Sequence, residues 1–297
     1  MNITVTGSTG FIGKYLVKRL SGNGDKVTAL GRDIVKLNKT FDDSVNKKET
    51  DYSYDSMLNV LKGADAVIHL AGKRFQKQLD PFLIEPYIDS NIILTQNIFK
   101  AAKELCIKRI AQTSTIGVYS MTNNLPFSEN EVPYPITVYG LSKLSCENMA
   151  NFYTAKTSVK ITNLRLASLF GTGEKTGVVF TDYVNRAIAK KTIEIWGEGK
   201  TGIDFLYVKD AVEALFASVQ PDAPSGTFNI GSGIGYAVKE IAENINAAFE
   251  NEGNIKYLKD KKEGGYNVFM NTEKAKKQLD WKPQYSMNEA LEDMKSN

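Results

Sequence analysis

The stretch "VTGSTGFIG", from Val5 to Gly13, holds three glycines in the spacing G-x-x-G-x-x-G. It follows a short β-branched run, "NITVT", which predicts a buried strand, and "FIG" opens an apolar pattern of helical period. Glycines between a strand and a helix let backbone N–H groups approach a pyrophosphate, which the helix N-terminus also attracts. The stretch therefore predicts a dinucleotide site on Gly7, Gly10 and Gly13, in preference to a turn that is merely tight.

Strands and helices alternate through the first half of the chain. The β-branched runs "KVTAL", "DAVIHLAG", "RIAQTST" and "KITNLRLASLF" predict buried strands. Apolar residues at helical spacing predict the helices between them: Ile12, Leu16 and Leu20 in the first, and Leu94, Ile98, Ala102 and Leu105 in a later one. This alternation predicts an α/β fold with a doubly wound parallel sheet of the Rossmann-like kind.

The character of the chain changes after Phe170. "GTGEKTG" resembles a flexible connection, and the last part is richer in Lys, Glu and Asn, with one strong helical pattern in "AVKEIAENINAAFE". We expect a dinucleotide-binding domain of residues 1–170 and 205–235. Residues 171–204 and 236–297 are expected to form a smaller, discontinuous C-terminal substrate domain.

Composition excludes several classes of partner. The formal net charge is +3 and the basic residues are dispersed, which argues against nucleic acid and anionic membranes. No stretch approaches the ~18 to 20 apolar residues of a membrane span, and the start "MNITVTGSTG" lacks the features of a secretory signal. Cys106 and Cys146 are isolated, so we expect buried, reduced thiols and a cytoplasmic protein.

The end of the second predicted strand bears on the choice between NAD and NADP. An acidic residue there usually binds the ribose 2′-hydroxyl of NAD, but this chain has Leu30, Gly31 and Arg32, and Asp33 comes late. A guanidinium beside a small residue suits a 2′-phosphate, which favours NADP. NAD, with Arg32 as a solvated surface residue, stays open.

Two further sets of polar residues are candidate catalytic groups, but neither identifies a function by itself. Tyr139 and Lys143 in "VYGLSK" lie one helical turn apart, but a Y-x-x-x-K spacing is common by chance. His69 is the only histidine and lies within an apolar strand, so a core imidazole is expected there in preference to a catalytic one.

Nine stretches in one order resolve the ambiguity: "TGSTGFIG", "DAVIHLAG", "YIDSNIILT", "TSTIGVYS", "YGLSK", "LRLASLFG", "IDFLYVKD", "FNIGSG" and "NTEKAKKQLDWKP". Together they resemble the extended short-chain dehydrogenases/reductases, in the nucleotide-sugar epimerase/dehydratase branch. The resemblance implies that Tyr139 is the acid/base, that Thr115 hydrogen-bonds the same sugar oxygen, and that Lys143 holds the nicotinamide ribose. A free phenol has a pKa near ~10, and we expect the Lys143 ammonium and an oxidised nicotinamide ring to lower it.

The resemblance also implies contacts to the cofactor and to a nucleotide-activated hexose. The cofactor contacts are Gly7, Gly10, Phe11, Ile12, Gly13, Arg32, Asp51, Tyr52, Leu70, Ala71, Gly72, Asn91, Tyr139 and Lys143. The substrate contacts are Lys73, Thr115, Ser168, Trp196, Lys261 and Lys262. A buried core tryptophan and solvated lysines are the alternatives for Trp196, Lys261 and Lys262. No metal site is expected.

Three positions depart from the pattern of this branch. Ile203 in "GIDFLYV" stands where an arginine often contacts the diphosphate, and Ser168 stands where an asparagine is usual. Losing a charge-assisted contact costs ~1.5 to 3 kcal/mol, so the way the diphosphate is held is in question. Thr115 is followed by Ile116 and Gly117, not by the Asp-Glu pair of sugar dehydratases, which argues against dehydration.

The expected activity is hydride transfer at C4 of a nucleotide sugar. A 4-epimerase of a UDP-hexose or UDP-N-acetylhexosamine is placed first, and an NADPH-dependent reductase of an NDP-4-keto-6-deoxy sugar second. A non-catalytic NAD(P)-sensing protein is a third possibility, which the complete set of Thr115, Tyr139 and Lys143 argues against. The resemblance further implies a homodimer formed through two helices, one of which holds Tyr139.

Overall fold

The computed structural model describes residues 1–75, 80–175 and 178–296. The strands in these ranges are β1 (Asn2–Thr6), β2 (Lys26–Gly31), β3 (Asn46–Glu49), β4 (Ala66–His69), β5 (Arg109–Thr115), β6 (Lys160–Leu166), β7 (Ser168–Phe170), β8 (Ile193–Trp196), β9 (Gly202–Tyr207), β10 (Gly226–Ile230), β11 (Gly235–Ala237) and β12 (Ile255–Leu258). The helices are α1 (Phe11–Gly22), α2 (Ile34–Thr40), α3 (Tyr54–Val60), α4 (Glu85–Tyr87), α5 (Leu94–Glu104), α6 (Val138–Lys156), α7 (Val179–Ile188), α8 (Val208–Ser218), α9 (Val238–Ala248), α10 (Glu273–Gln278) and α11 (Met287–Lys295). A π-helical segment, Ile88–Ile93, joins α4 to α5, and a 3₁₀ turn, Ile116–Val118, follows β5.

A parallel sheet of seven strands in the order β10-β6-β5-β4-β1-β2-β3 forms the centre of the molecule. The strand order reverses between β1 and β4, and in such sheets ligands bind in the crevice at the carboxyl ends of these strands. The doubly wound α/β fold predicted from the sequence is confirmed. The glycine turn after β1 lies at this crevice.

Apolar side chains cover both faces of the large sheet. Every residue of β4 is buried, as expected for a central parallel strand, and Leu16 and Leu20 of α1 are buried on one face. Ile98 and Ala102 of α5 are buried in the cluster on the other face. The predicted helical spacing thus matches the buried sides of α1 and α5. The carboxyl edge of the sheet is fixed on a rigid core.

A third apolar cluster lies around two small sheets, β11-β9-β7 and β12-β8. Its aromatic centre includes Phe170 and Phe180, whose stacked rings have centroids 4.2 Å apart. Helices α7, α9 and α11 contribute the rest of this cluster. The predicted domain limits at residues 204 and 235 fall within or next to β9 and β11, and the two-domain division stays a prediction.

Two local expectations were wrong, and one strand was not predicted. "KITNLRLASLF" was expected to be one strand, but it breaks at Ala167, whose N–H donates to the Ile230 carbonyl, so β7 leaves the large sheet and pairs with β9. The edge strand β3 was not predicted, because "NKKE" carries no apolar run. Cys146 is buried as expected, whereas Cys106 is exposed at a positive φ of 53° just after α5.

Along the described ranges, we find no helix with the length and apolarity that a membrane crossing requires.

Candidate functional site

The turn after β1 accepts only glycine at two of its positions. Gly7 has a φ of 66°, and a Cβ there would lie 2.7 Å from the Ala71 nitrogen. A Cβ at Gly13 would lie 2.4 Å from the Ser8 carbonyl oxygen. Gly10 caps α1 without a side-chain hydrogen bond, and the first turn of α1 holds no acidic residue. The first N–H groups of this 12-residue helix therefore face a cradle with no side chain, which fits a dinucleotide pyrophosphate.

The end of β4 is locked to the end of β1 by one hydroxyl. Thr6 Oγ1 accepts hydrogen bonds from the backbone N–H groups of Leu70 at 3.2 Å and Ala71 at 3.1 Å. The same oxygen lies 2.9 Å from Nδ1 of His69, whose Nε2 lies 2.9 Å from Thr95 Oγ1. Burial lowers the pKa of His69 to about 3, with a smaller contribution from the Lys143 charge. His69 is a neutral core imidazole, as predicted.

The residues predicted for the adenosine end meet beside Gly7. The Tyr52 hydroxyl accepts a hydrogen bond from the Gly7 N–H at 3.3 Å, and the Arg32 guanidinium carbon lies 5.3 Å from the centroid of the Tyr52 ring. Asp51 is exposed beside them and its carboxylate accepts from a backbone N–H two residues on. The Asp33 carboxylate caps α2, so it is engaged away from a ribose. Arg32 is exposed at the tip of β2.

The helix that carries Tyr139 approaches the end of β5 very closely. Thr137 caps α6, and a Cβ at Gly140 would lie 2.2 Å from the Gly117 carbonyl oxygen, so the helix can pack there only through glycine. Thr115, the last residue of β5, accepts a hydrogen bond from the Gly117 N–H at 3.1 Å. Its hydroxyl also acts on the phenol of Tyr139, whose pKa it lowers. The structure thus brings Thr115 and Tyr139 together.

Burial has the largest effect on the pKa of Tyr139 and on that of Lys143. Burial raises the pKa of Tyr139, and the Thr115 hydrogen bond and the Arg74 charge oppose the rise. Burial lowers the pKa of Lys143, which Cys146 and Glu147 partly oppose. The prediction that the Lys143 ammonium lowers the pKa of this phenol stays a prediction. The contribution of an oxidised nicotinamide ring stays a prediction.

Asn91 links the loop after β4 to α6. Its side-chain oxygen accepts from the Lys73 N–H at 2.6 Å, and its amide nitrogen donates to the Lys73 carbonyl at 3.1 Å and to Ser142 Oγ at 2.9 Å. Ser142 Oγ donates in turn to the Tyr139 carbonyl at 2.7 Å. A Cβ at Gly72 would lie 2.8 Å from the Asn91 oxygen. Asn91 therefore fixes this loop relative to Tyr139.

The predicted substrate contacts are distributed over the smaller sheets. Trp196 ends β8 and is 48% exposed, so it is not an ordinary core tryptophan. The Lys261 ammonium lies 4.8 Å from the centroid of its ring, while Lys262 is exposed. Ser168 is half-buried in β7, opposite Phe205 of β9. Their roles as substrate contacts stay predictions.

Two charged pairs near Tyr139 escaped the sequence analysis. Arg74 Nη1 donates to Glu174 Oε1 at 2.6 Å, and the only signal in the sequence was an arginine directly after Lys73. Glu147 and Arg165 form a fully buried pair, with Arg165 Nη2 2.7 Å from Glu147 Oε2. Glu147 lies one helical turn beyond Lys143, which could have suggested that it faces the same way.

Residues 3–231 match the family described as the NAD dependent epimerase/dehydratase family. This chain belongs to that family. A solved structure described as a UDP-N-acetylglucosamine 4-epimerase from Bacillus cereus is 34% identical, with a TM-score of 0.88 over 99% of this chain and 95% of that one. A putative UDP-glucose 4-epimerase of Methanocaldococcus jannaschii is 27% identical over 97% of this chain and 95% of the relative. A dTDP-4-dehydro-6-deoxyglucose reductase of Escherichia coli is 24% identical over 98% and 95%.

Membership in the NAD-dependent epimerase/dehydratase family makes this chain an enzyme that uses a nicotinamide dinucleotide. The cradle of Gly7, Gly10 and Gly13 is consistent with that assignment, because it leaves room for a pyrophosphate at the switch point of the sheet. The Thr115–Tyr139 pair lies at the end of β5, on the same edge of the sheet.

Proposed function

We propose that the protein is a 4-epimerase of a nucleotide-activated hexose, of the UDP-hexose or UDP-N-acetylhexosamine type. The observation that carries the proposal is the close packing of α6, which holds Tyr139, against the end of β5, which holds Thr115, on the sheet edge that also holds the glycine cradle. The similarity of the whole chain to a solved UDP-N-acetylglucosamine 4-epimerase supports the same reaction class.

In this proposal Tyr139 moves the proton of the sugar C4 hydroxyl. Its phenolate oxygen takes that proton when C4 is oxidised and returns it when C4 is reduced on the other face. Thr115, the last residue of β5, donates to the same sugar oxygen and holds it in line. The bound dinucleotide supplies the reversible two-electron chemistry at C4. Lys143, buried one turn along α6, is placed to fix the nicotinamide ribose.

Arg32 is proposed to favour NADP. It is exposed beside the Tyr52 ring, and the Asp33 carboxylate that follows it caps α2. Titration calorimetry with NADP and NAD measures this preference, which should fall when Arg32 is replaced by alanine. Equal affinity of the unmodified protein for both cofactors would contradict the proposal.

Arg32 also supports the second candidate, an NADPH-dependent reductase of an NDP-4-keto-6-deoxy sugar. A residue that favours NADP suits an enzyme that consumes NADPH in each turnover. An assay separates the two candidate functions. The purified protein is incubated with UDP-glucose, UDP-GlcNAc or a dTDP-4-keto sugar. Interconversion of C4 epimers without net use of cofactor supports the epimerase and rules out the reductase. Steady oxidation of added NADPH gives the opposite answer.

A homodimer in a cytoplasmic, reducing compartment completes the proposal. Helix α6 exposes Leu141 and Phe152, and Phe152 lines a groove with Tyr54 of α3 and Lys100 of α5. Large apolar side chains exposed along one helix suit packing against a second copy of the same face. Light scattering reports the mass directly, and replacing Phe152 by a charged residue should yield a monomer.

A further inference from the structure

Tyr87 is a buried tyrosine that lies directly beside Tyr139. Its side chain is 2% exposed, and the centroid of its ring lies 6.1 Å from that of Tyr139, with the two ring planes 52° apart. Tyr139 itself is half-buried, in the first turn of α6, which packs on the turn after β5. Two phenols therefore lie at the place where the proposed C4 chemistry occurs.

The hydroxyl of Tyr87 has no hydrogen-bond partner among the residues that the structure describes. The oxygen is not sealed from solvent, because the described side-chain atoms that are both sealed and unpartnered are Gln112 Oε1 and Asn246 Nδ2. Buried tyrosine hydroxyls usually have a partner, because losing the hydrogen bonds to water is costly. The hydroxyl of Tyr87 is thus a buried polar group that can accept a partner from outside the protein.

Other buried tyrosines of this molecule satisfy their hydroxyls internally. Tyr119 donates to Asn229 Oδ1 at 2.9 Å, and Tyr183 donates to the Glu194 carbonyl at 3.3 Å. Tyr87 differs from them in this respect, although it is equally buried. Its hydroxyl therefore serves something other than the fold.

The backbone around Tyr87 has the form of a binding wall. The π-helical segment that begins after it exposes Ile88 and Ile93, at 37% and 41%, and buries Asn91. Packing of a core alone would bury the isoleucines first, and π-helical turns are frequent at functional sites. Asn91 donates to Ser142 Oγ of α6 at 2.9 Å, which fixes this segment to the helix that carries Tyr139.

The hexose offers the partner that this hydroxyl lacks. In the proposed reaction Tyr139 contacts the oxygen on C4, and the hydroxyl groups closest to that oxygen on a hexose are those on C3 and C6. A phenol beside Tyr139 is placed to meet one of them. Burial is the main cause of the raised pKa of Tyr139, and the Tyr87 phenol adds to it, as a neighbouring phenol oxygen would.

We propose that the Tyr87 hydroxyl binds the hexose of the substrate, through a hydrogen bond to the hydroxyl group on C3 or on C6. This inference rests on the proposed 4-epimerase function and adds a specificity-determining residue to it. The bond fixes the sugar ring while C4 is presented to Tyr139. It also selects for sugars that carry the bonded hydroxyl group.

The test compares Tyr87→Phe, which removes only the hydroxyl, with the control Tyr183→Phe, which removes the hydroxyl of another buried tyrosine. Both are made in a Tyr139→Phe background with NAD or NADP bound, so that turnover does not disturb the binding measurement. Titration calorimetry uses UDP-glucose and UDP-GlcNAc. Tyr87→Phe should lower the affinity for the UDP-sugar by about threefold to tenfold, and Tyr183→Phe should leave it unchanged.

The 3-deoxy and 6-deoxy forms of UDP-glucose identify the bonded hydroxyl group. The form that lacks this group should lose no further affinity in Tyr87→Phe, because the bond is already absent. The other form should lose as much as UDP-glucose does. If Tyr87→Phe weakens both deoxy forms equally, the hydroxyl bonds to neither group and the inference is wrong.

Thermal unfolding of the ligand-free protein separates binding from a structural role. Tyr87→Phe should unfold at the same temperature as its parent or slightly higher, since the hydroxyl has no partner in the described part of the chain. Tyr183→Phe should unfold at a lower temperature, because it loses a bond. If Tyr87→Phe instead destabilises the protein or weakens dinucleotide binding, with an unchanged affinity for the UDP-sugar, the inference is overturned.

The binding measurements also separate this inference from the proposed function. If the unmodified protein interconverts no C4 epimers but Tyr87→Phe still weakens UDP-sugar binding, the proposed reaction fails and the role of Tyr87 stands. If epimers are interconverted and Tyr87→Phe binds the UDP-sugar as its parent does, the reaction stands and the role of Tyr87 fails. The absence of binding of either UDP-sugar to the unmodified protein would refute both.

Discussion

Replacing Arg165 by methionine should destabilise the fold, because the substitution leaves a buried carboxylate without its cation. Arg165 Nη2 lies 2.7 Å from Glu147 Oε2, and Arg165 Nε lies 3.1 Å and 3.2 Å from the two carboxylate oxygens. The side chains are 5% and 1% exposed. Removing one partner of such a pair costs about 3 to 5 kcal/mol, whereas exposed pairs are worth about 1 kcal/mol or less.

Catalytic activity should fall as well, because Glu147 and Arg165 also bond to side chains on either side of Thr115 in the chain. Ser114, next to Thr115, donates to Glu147, and the Arg165 guanidinium donates to the Tyr119 hydroxyl at 2.5 Å. A methionine keeps most of the volume of the arginine stem but none of these donors. We therefore expect kcat to fall together with stability in Arg165→Met.

Urea unfolding followed by circular dichroism measures the change in the free energy of unfolding. The double variant Glu147→Leu/Arg165→Met is the matched control, because it removes both charges at similar volume and should recover most of the loss. A single variant within about 1 kcal/mol of the parent, or additive losses in the double variant, would refute the argument.

Three further predictions address helix α6, the cofactor and the core. Gly140→Ala should lower kcat by roughly 10²-fold, since its Cβ would lie 2.2 Å from the Gly117 carbonyl and shift α6; steady-state kinetics checks this, with thermal unfolding as the control for folding. Arg32→Ala should weaken NADP binding by about 1.5 to 3 kcal/mol and NAD binding far less, as read by calorimetry. The free energy of unfolding should fall as pH drops from about 6.5 toward 3, by at most ~1.4 kcal/mol per pH unit from His69. The cause is that the unfolded state binds a proton on this imidazole, whereas the buried ring, with its pKa of about 3, stays neutral. His69→Asn should flatten that slope in urea unfolding.

Local sequence patterns predicted the parts of the molecule in which one continuous stretch sets both the backbone conformation and the ligand-binding groups. The strand, glycine turn and helix from β1 to α1 are contiguous, so their residue types show both the conformation and the ligand. The edge strand β3 pairs with one neighbour only and needs no apolar run, so its polar sequence gave no signal. The break at Ala167 depends on a bond to Ile230 in a distant strand, and no local pattern records it.

The charges of the site were the least predictable part. Arg74 meets Glu174, and Glu147 meets Arg165, through the fold and not through a fixed spacing. Burial raises the pKa of Tyr139, and the Y-x-x-x-K spacing contains no information about that burial.

The central claim is reversible redox chemistry at sugar C4 with Tyr139 as the acid/base, and a label at C4 tests it most directly. UDP-GlcNAc or UDP-glucose carrying deuterium at C4 is incubated with the protein in ordinary water, and the product is read by proton NMR. The account predicts the C4 epimer with its deuterium retained and no net use of cofactor, and conversion slowed by about 10² to 10⁴-fold in Tyr139→Phe. Loss of the deuterium to solvent, or undiminished conversion by Tyr139→Phe, would contradict it.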